Sequence, residues 1–184
     1  MHRTVKHNRP VALYYDQTIY DDAVERGKQM GRLNHSITQG KSNHWGFIGE
    51  AVVACWTDGD IVDDYDFDIC TKLGTKLEVK TKKTTRLDAP LPHYECSVCN
   101  YNSKQRTDYY VFVRVCTLYE QTKNPEHARA WICGYKAKDA FAAESVFFKK
   151  GDIDPSNQYK VHADCYNMAI GDLDRLPCFT TSYV

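Results

Sequence analysis

The sequence DFDICTKLGTKLEVKTKK, residues 66–83, decides the fold. Charged and apolar residues alternate on both sides of Gly74, which is the pattern of β-strands because successive side chains of a strand point to opposite faces. We therefore predict a β-hairpin whose first strand covers residues 63–69 and whose turn lies at residues 73–75. The hairpin brings four charged side chains together: Asp66 and Asp68 from the first strand, and Glu78 and Lys80 from the second.

Such a cluster of charged side chains can indicate a metal site, but it also has an explanation without a metal. Carboxylates that lie together repel, so they persist as a group only with a cation or a proton between them. Hard oxygen ligands of this type select Mg²⁺ or Mn²⁺. The same alternation is also typical of a half-solvated hairpin that binds nothing.

The segment upstream of the hairpin favours the metal site. Residues 45–56 (WGFIGEAVVACW) form an apolar helix candidate that Asn43 can cap, and its one acidic residue is Glu50. A carboxylate among apolar residues requires a partner, because burying an unpaired charge is costly.

A helix with a glutamate, a strand with an aspartate, a short turn and a Glu-x-Lys strand together resemble the PD-(D/E)XK nuclease superfamily. That family includes restriction endonucleases, phage exonucleases and junction resolvases. Asp68 stands ten residues before Glu78, a spacing similar to that of the compact members. The resemblance covers about residues 45–84 and extends loosely through residues 109–116. Phe67 stands where the family often has a proline.

The resemblance implies a fold and a cofactor. The fold is an α/β, restriction-endonuclease-like core with a central mixed β-sheet flanked by helices, in one domain over residues 1–184. The cofactor is Mg²⁺ or Mn²⁺, one or two ions held by Asp68, Glu78 and the carbonyl of Val79. Glu50 would reach the metal directly or through water, and Asp66 either assists or is solvated.

The resemblance also implies an activity, the hydrolysis of phosphodiester bonds in DNA. Lys80 would hold the attacking water or stabilise charge on the phosphate. A basic strip, defined as Lys82, Lys83 and Arg86, would contact backbone phosphates. Gln105 precedes the strand at residues 109–116, where the family often has a polar residue near the metal. The resemblance does not decide among endonuclease, exonuclease and resolvase activity, and it leaves open whether the protein forms a homodimer.

Composition sets wider limits. A chain of 184 residues fits one domain, and its net charge is near zero, although acidic residues 58–68 precede basic residues 72–86. No apolar run approaches the roughly 18 residues that span a bilayer, and the N-terminus lacks the apolar stretch of a signal peptide. We therefore expect no membrane partner and a cytoplasmic protein, in the host cytoplasm if a phage encodes it.

A Cys-x-x-Cys pair, Cys96 and Cys99, provides the main competing site. This spacing is typical of zinc ligands, and His162 and Cys165 could complete a set of four. Because no glycine-bearing knuckle follows either pair, we expect no zinc. The alternative function is a non-catalytic nucleic-acid-binding module, with or without zinc at these cysteines.

The remaining elements follow from local patterns. Asp16 is a helix cap candidate. Arg26 is expected on a solvated helix face, with contact to DNA as the alternative, and the histidines His35, His44 and His127 are expected at the surface. We predict strands at residues 10–15, 109–116 (central), 128–135 and 159–161, and helices at residues 18–33, 136–143 and 168–176.

Overall fold

The computed structural model describes residues 10–30 and 43–175, without residues 63 and 156. Its helices are α1 (Gln17–Met30), α2 (Asn43–Thr57), α3 (Leu118–Thr122) and α4 (Lys138–Glu144). Its strands are β1 (Val11–Tyr14), β2 (Asp60–Ile61), β3 (Ile69–Cys70), β4 (Lys76–Thr84), β5 (Glu95–Cys99), β6 (Tyr109–Cys116), β7 (Arg129–Ala137), β8 (Val146–Phe148) and β9 (Cys165–Ala169).

Six strands form a mixed main sheet in the order β1-β7-β6-β4-β3-β2. β4 and β6 run parallel, and the other neighbours are antiparallel. β6 is a long and largely apolar strand that lies inside the sheet, buried on both faces. This is the expected environment of a near-continuous run of valines and aromatic residues.

The two faces of β6 belong to two apolar cores. Val111, Val113 and Val115 pack with α1 and α2, and so do Leu77 and Val79 of β4. On the other face, aromatic side chains of β6 pack under a three-stranded sheet, in the order β5-β9-β8, and under α4. The structure is therefore an α/β arrangement with a mixed sheet flanked by helices, as predicted.

Gly49 sets the distance between α2 and β4. A Cβ at this position would overlap Thr81 Oγ1 and lie 3.2 Å from Thr81 Cβ. The next residue of α2 is Glu50, so this close approach brings its carboxylate to the strand that carries Glu78. Gly46, one turn earlier, has no atom within 4 Å of its missing Cβ.

The two glycines give a paired prediction about stability. Gly49→Ala should lower the melting temperature, because Thr81 must move to admit the methyl group. Gly46→Ala should leave it unchanged or raise it, since alanine favours a helix interior by about 1 kcal/mol over glycine. Thermal unfolding of both variants checks the contrast. Equal behaviour of the two proteins would contradict the close helix–strand contact.

Most predicted elements are confirmed. The strands at residues 10–15, 109–116 and 128–135 are β1, β6 and β7, and β6 is central. The turn after β3 forms with Gly74 at a φ of 78°. Asp16 caps α1, since its Oδ1 accepts the Ile19 N–H at 2.9 Å. The helix predicted at residues 136–143 is α4, shifted by about two residues.

Three predicted elements are wrong or shortened. The first hairpin strand is only Ile69–Cys70, because Asp64 Oδ1 accepts the Asp66 N–H at 2.8 Å and so forms a turn in place of a ladder. The predicted helix at residues 168–176 is instead the end of β9 and a 3₁₀ turn over Ile170–Asp172, since β9 pairs on both sides. Near residue 160 only an isolated bridge to Ile153 forms.

Across residues 10–30 and 43–175, no helix is long and apolar enough to cross a membrane.

Candidate active site

Asp68 stands at the point where β3 stops pairing with β4. The last pair at this end of β3 joins Ile69 to Leu77, so the Val79 N–H lies beyond the ladder. Asp68 Oδ2 accepts that N–H at 2.7 Å, and the Asp68 N–H donates to the Leu77 carbonyl at 3.0 Å. The prediction that the hairpin brings Asp68 beside the strand of Glu78 is thereby confirmed.

Burial holds the pKa of Asp68 well above its usual range, and the neighbouring carboxylates Glu78 and Glu50 raise it further. The Val79 N–H and Lys80 act in the opposite direction but do not cancel these effects. Three of the four acidic groups that the sequence singled out, Glu50, Asp68 and Glu78, therefore lie close enough to interact electrostatically.

Glu78 and Lys80 form a tight ion pair on one face of β4. Lys80 Nζ lies 2.6 Å from Glu78 Oε1, and both side chains are largely buried. The second oxygen of the carboxylate, Oε2, is buried and has no hydrogen-bond partner. A buried carboxylate oxygen without a donor is costly, so Oε2 could accept a cation or a donor from a ligand.

Gln105 joins this pair to the loop before β3. Its Nε2 donates to Glu78 Oε1 at 3.0 Å and to the Tyr65 carbonyl at 2.7 Å, while its Oε1 lies 3.5 Å from Lys80 Nζ. The side chain is buried, at 5% exposure. The predicted place of Gln105 beside the cluster is confirmed, and its contacts show how it fixes the Glu78 carboxylate.

Glu50 has a cationic partner that the sequence did not reveal. Arg26 Nη2 of α1 lies 3.2 Å from Glu50 Oε2, and the same guanidinium stacks 4.1 Å from the centre of the Phe47 ring. Phe47 and Glu50 are three residues apart on α2 and so share a side of the helix. The expectation that Arg26 is merely solvated is wrong. The only hint in the sequence was its position on the polar side of α1.

Asp66 lies apart from the cluster. Its Oδ2 accepts from Arg106 Nε at 2.6 Å, and its Oδ1 accepts the Arg106 N–H at 3.2 Å. The Arg106 guanidinium holds the pKa of Asp66 below its usual range. The expectation that the hairpin brings Asp66 together with Glu78 and Lys80 is wrong, because the loop that carries Asp66 turns toward Arg106.

The chemistry of these groups suits a hard divalent cation. Asp68 and Glu78 offer carboxylate oxygens, one of them without a partner. The Val79 carbonyl points to the same side of β4 as its N–H, toward Asp68. Among the described residues, no three acidic, histidine or cysteine side chains are arranged so that they could hold a metal ion as they stand. Side-chain rotation toward Glu78 Oε2 would therefore accompany binding.

The basic strip is divided between the two faces of β4. Lys82 shares a face with Glu78 and Lys80, and its Nζ donates to Ser97 Oγ of β5 at 2.7 Å. Lys83 is exposed on the opposite face, where it lines a cleft of about 550 Å³ together with Arg86. Arg86 also lies 3.6 Å from Asp88. Lys83 and Arg86 can therefore meet one phosphate track, whereas Lys82 lines a different cleft, whose lining Lys83 also joins.

The Cys-x-x-Cys pair belongs to one strand and does not converge. Cys96 and Cys99 lie three residues apart on β5, so their side chains point to opposite faces. Cys96 packs in the apolar core, and Cys99 stands opposite Cys165 of β9.

The three histidines have different outcomes. His127 is only partly exposed, with its Nδ1 2.8 Å from Thr122 Oγ1, whereas His35 lies outside the described residues. His44 is not a surface residue: its ring centroid lies 4.6 Å from that of Trp45, and its Nε2 is 3.6 Å from Glu120. It packs there because α2 presents it to the aromatic residues between α1 and α3.

The chain matches no protein-family model, and a search of curated proteins gives no match. The function is therefore argued from the geometry of the site.

Proposed function

We propose that this protein is a metal-dependent deoxyribonuclease with a restriction-endonuclease-like core. One observation carries the proposal. Glu78 keeps a buried carboxylate oxygen without a donor, and it lies beside Asp68, whose pKa is raised by burial and by two neighbouring carboxylates. A purely structural cluster would satisfy that oxygen with a protein donor. The order of Asp68, Glu78 and Lys80 along a hairpin supports the PD-(D/E)XK reading of the sequence.

Asp68, Glu78 and the Val79 carbonyl would hold Mg²⁺ or Mn²⁺, and Glu50 would reach the ion directly or through water. The metal, when bound, lowers the pKa of a water molecule and offsets negative charge on the phosphate. The chain itself supplies orientation: the Val79 N–H fixes the Asp68 carboxylate, and Gln105 fixes that of Glu78. Arg26 limits the repulsion that Glu50 adds to the group.

Lys80 would supply the positive charge that this chemistry needs beside the metal. Its ammonium group lies within hydrogen-bond distance of Glu78 and close to Gln105, so it is held at the edge of the carboxylate cluster. From there it can donate to a water molecule or to a phosphate oxygen as negative charge builds during hydrolysis. Lys83 and Arg86 would contact backbone phosphates of DNA further along, in a salt-sensitive and sequence-independent way.

The test is a cleavage assay on supercoiled plasmid and on linear duplex, with Mg²⁺, Mn²⁺, Ca²⁺ or EDTA. Nicking or end resection should require Mg²⁺ or Mn²⁺ and stop in EDTA. Ca²⁺ should support binding without efficient cleavage, because it is a larger ion with looser geometry. Full cleavage in EDTA would refute the metal-dependent mechanism. DNA binding without cleavage in any metal would favour the non-catalytic module.

A further inference from the structure

Another cleft, of about 730 Å³, begins where the active-site face of β4 ends. We name it the β4–β5 cleft. Lys82 lines it and follows Lys80 by two residues on the same face, about 6.6 Å further along the strand at the usual rise. Side chains of the small sheet form its base, among them Ser97 and Cys165. A strand of nucleic acid that passes Lys80 can therefore continue into this cleft.

Two cations stand side by side in its wall. Lys82 and Arg114 are register partners across the parallel β4–β6 pair, and both line the cleft. Burial lowers the pKa of Lys82, and Arg114 lowers it further. Arg114 Nη2 donates to the Glu95 carbonyl at 3.0 Å, while its buried Nε has no hydrogen-bond partner. An anion placed between the two cations would relieve their repulsion.

The wall also carries the cleft's acidic groups, Glu95 and Asp154. Asp154 is engaged within the protein, since Asn167 Nδ2 lies 3.3 Å from its Oδ2. Glu95 raises the pKa of Lys82 and so offsets part of the positive charge. Three cationic side chains, those of Lys82, Lys83 and Arg114, face these two carboxylates in the cleft lining, and the balance favours an anion.

Planar rings line the mouth of the cleft. Tyr94 lies 5.0 Å below the Arg114 guanidinium, with His93 edge-on to it. On the other side Tyr159 is 58% exposed and lies edge-on to His162. Exposed aromatic faces beside cations are the surfaces on which single-stranded bases stack.

We propose that the β4–β5 cleft binds one unpaired nucleotide of a DNA strand, with its phosphate at Lys82 and Arg114 and its base against Tyr159. The volume suits a single small ligand, within the usual 300–1,000 Å³ or so of such pockets, and is far too small for a duplex. The inference rests on the proposed function for the identity of the polymer. It adds a substrate preference, for strands with an unpaired segment next to the scissile bond.

The test measures the binding of a short fluorescein-labelled oligothymidylate and of a blunt duplex by anisotropy, with Ca²⁺ in place of Mg²⁺. Tyr159→Ala should weaken oligothymidylate binding roughly tenfold, the effect of losing one stacked base, and leave duplex binding nearly unchanged. Lys82→Met should weaken oligothymidylate binding by a similar factor, and it should reduce the salt dependence of that binding by about one phosphate contact.

Matched controls replace exposed residues of the same type far from the cleft. Tyr14 of β1 is 62% exposed and Lys28 of α1 pairs only loosely with Glu25 at 3.6 Å, so Tyr14→Ala and Lys28→Met should bind oligothymidylate as the unmodified protein does. Because Tyr159 is exposed, its variant keeps the test valid even if Lys82→Met does not fold.

The outcomes separate this inference from the proposed function. Unchanged oligothymidylate affinity in Tyr159→Ala would overturn the cleft assignment, and intact metal-dependent cleavage would at the same time leave the nuclease proposal standing. Conversely, weakened binding in both cleft variants of a protein that cleaves no DNA would support the cleft and overturn the nuclease. Equal losses of oligothymidylate and duplex binding would show that the cleft does not recognise an unpaired nucleotide.

Discussion

Asp68→Asn should reduce DNA cleavage roughly a thousandfold, equivalent to about 4 kcal/mol in the barrier, while the protein stays folded. Asparagine keeps an oxygen that can accept the Val79 N–H, now 2.7 Å from Asp68 Oδ2, so the local structure survives. What it loses is the negative charge that, with Glu78, would hold the divalent cation. Plasmid nicking under saturating Mg²⁺ measures the loss, and circular dichroism checks the fold.

Asp66→Asn is the matched control, since it makes the same chemical change two residues away. Asp66 pairs with Arg106, which is 85% exposed, and not with the carboxylate cluster. Its replacement should lower cleavage only partly, through the loop that also carries the Tyr65 carbonyl bound by Gln105. An inactive Asp66→Asn protein beside an active Asp68→Asn protein would refute the assignment of the ligand.

The metal-free protein should become more stable when Asp68 is replaced. The folded protein raises the pKa of Asp68 above the value of about 3.9 that it has in the unfolded chain. The folded state therefore binds the proton more tightly, and stability falls as pH rises from the unfolded pKa through the folded one. Above both values the charged Asp68 destabilises the fold in full, and Asp68→Asn removes that cost.

The expected result is a higher melting temperature for Asp68→Asn than for the unmodified protein at pH 8 in EDTA. A gain of about 1 kcal/mol would appear as roughly 3 °C in a chain of this size, so the shift is measurable. It should shrink toward zero below about pH 4, where the carboxyl group is protonated in both states. Added Mg²⁺ should stabilise the unmodified protein and not the variant.

The control variant, Asp66→Asn, should have the opposite effect on the melting temperature or none. Arg106 lowers the pKa of Asp66, so that carboxylate contributes stability above its unfolded pKa, and Asp66→Asn should lower the melting temperature at pH 8 or leave it unchanged. A lower melting temperature for Asp68→Asn in EDTA at pH 8 would mean that the Asp68 charge is already compensated within the protein. The argument for a cation between the carboxylates would then fail.

The sequence by itself determined the strand faces and the order of the site. Because side chains alternate strictly along a strand, the spacing of Glu78, Lys80 and Lys82 places all three on one face of β4. The alternation on both sides of the turn at Gly74 also predicted the hairpin that brings Asp68 beside the strand of Glu78. The apolar run of β6 likewise required burial on both faces, and hence a central position.

Tertiary structure decided how each charged side chain is used. Arg106 lies 40 residues from Asp66, and Arg26 lies 24 residues from Glu50. Neither pair leaves a local signal, since a charged residue on a helix or loop looks the same whether it is solvated or paired. The loop containing Asp66 leaves the hairpin because side-chain hydrogen bonds replace the ladder, which alternation alone does not reveal.

The three-stranded sheet is another feature that the local sequence does not reveal. Residues 165–169 form a strand because β5 and β8 pair with them on either side, and strand propensity depends strongly on such neighbours. The β4–β5 cleft exists only through that pairing, since it forms where the small sheet meets the end of β4. The sequence therefore determined the row Glu78, Lys80 and Lys82, and the long-range pairing of distant segments decided what lies opposite each of them.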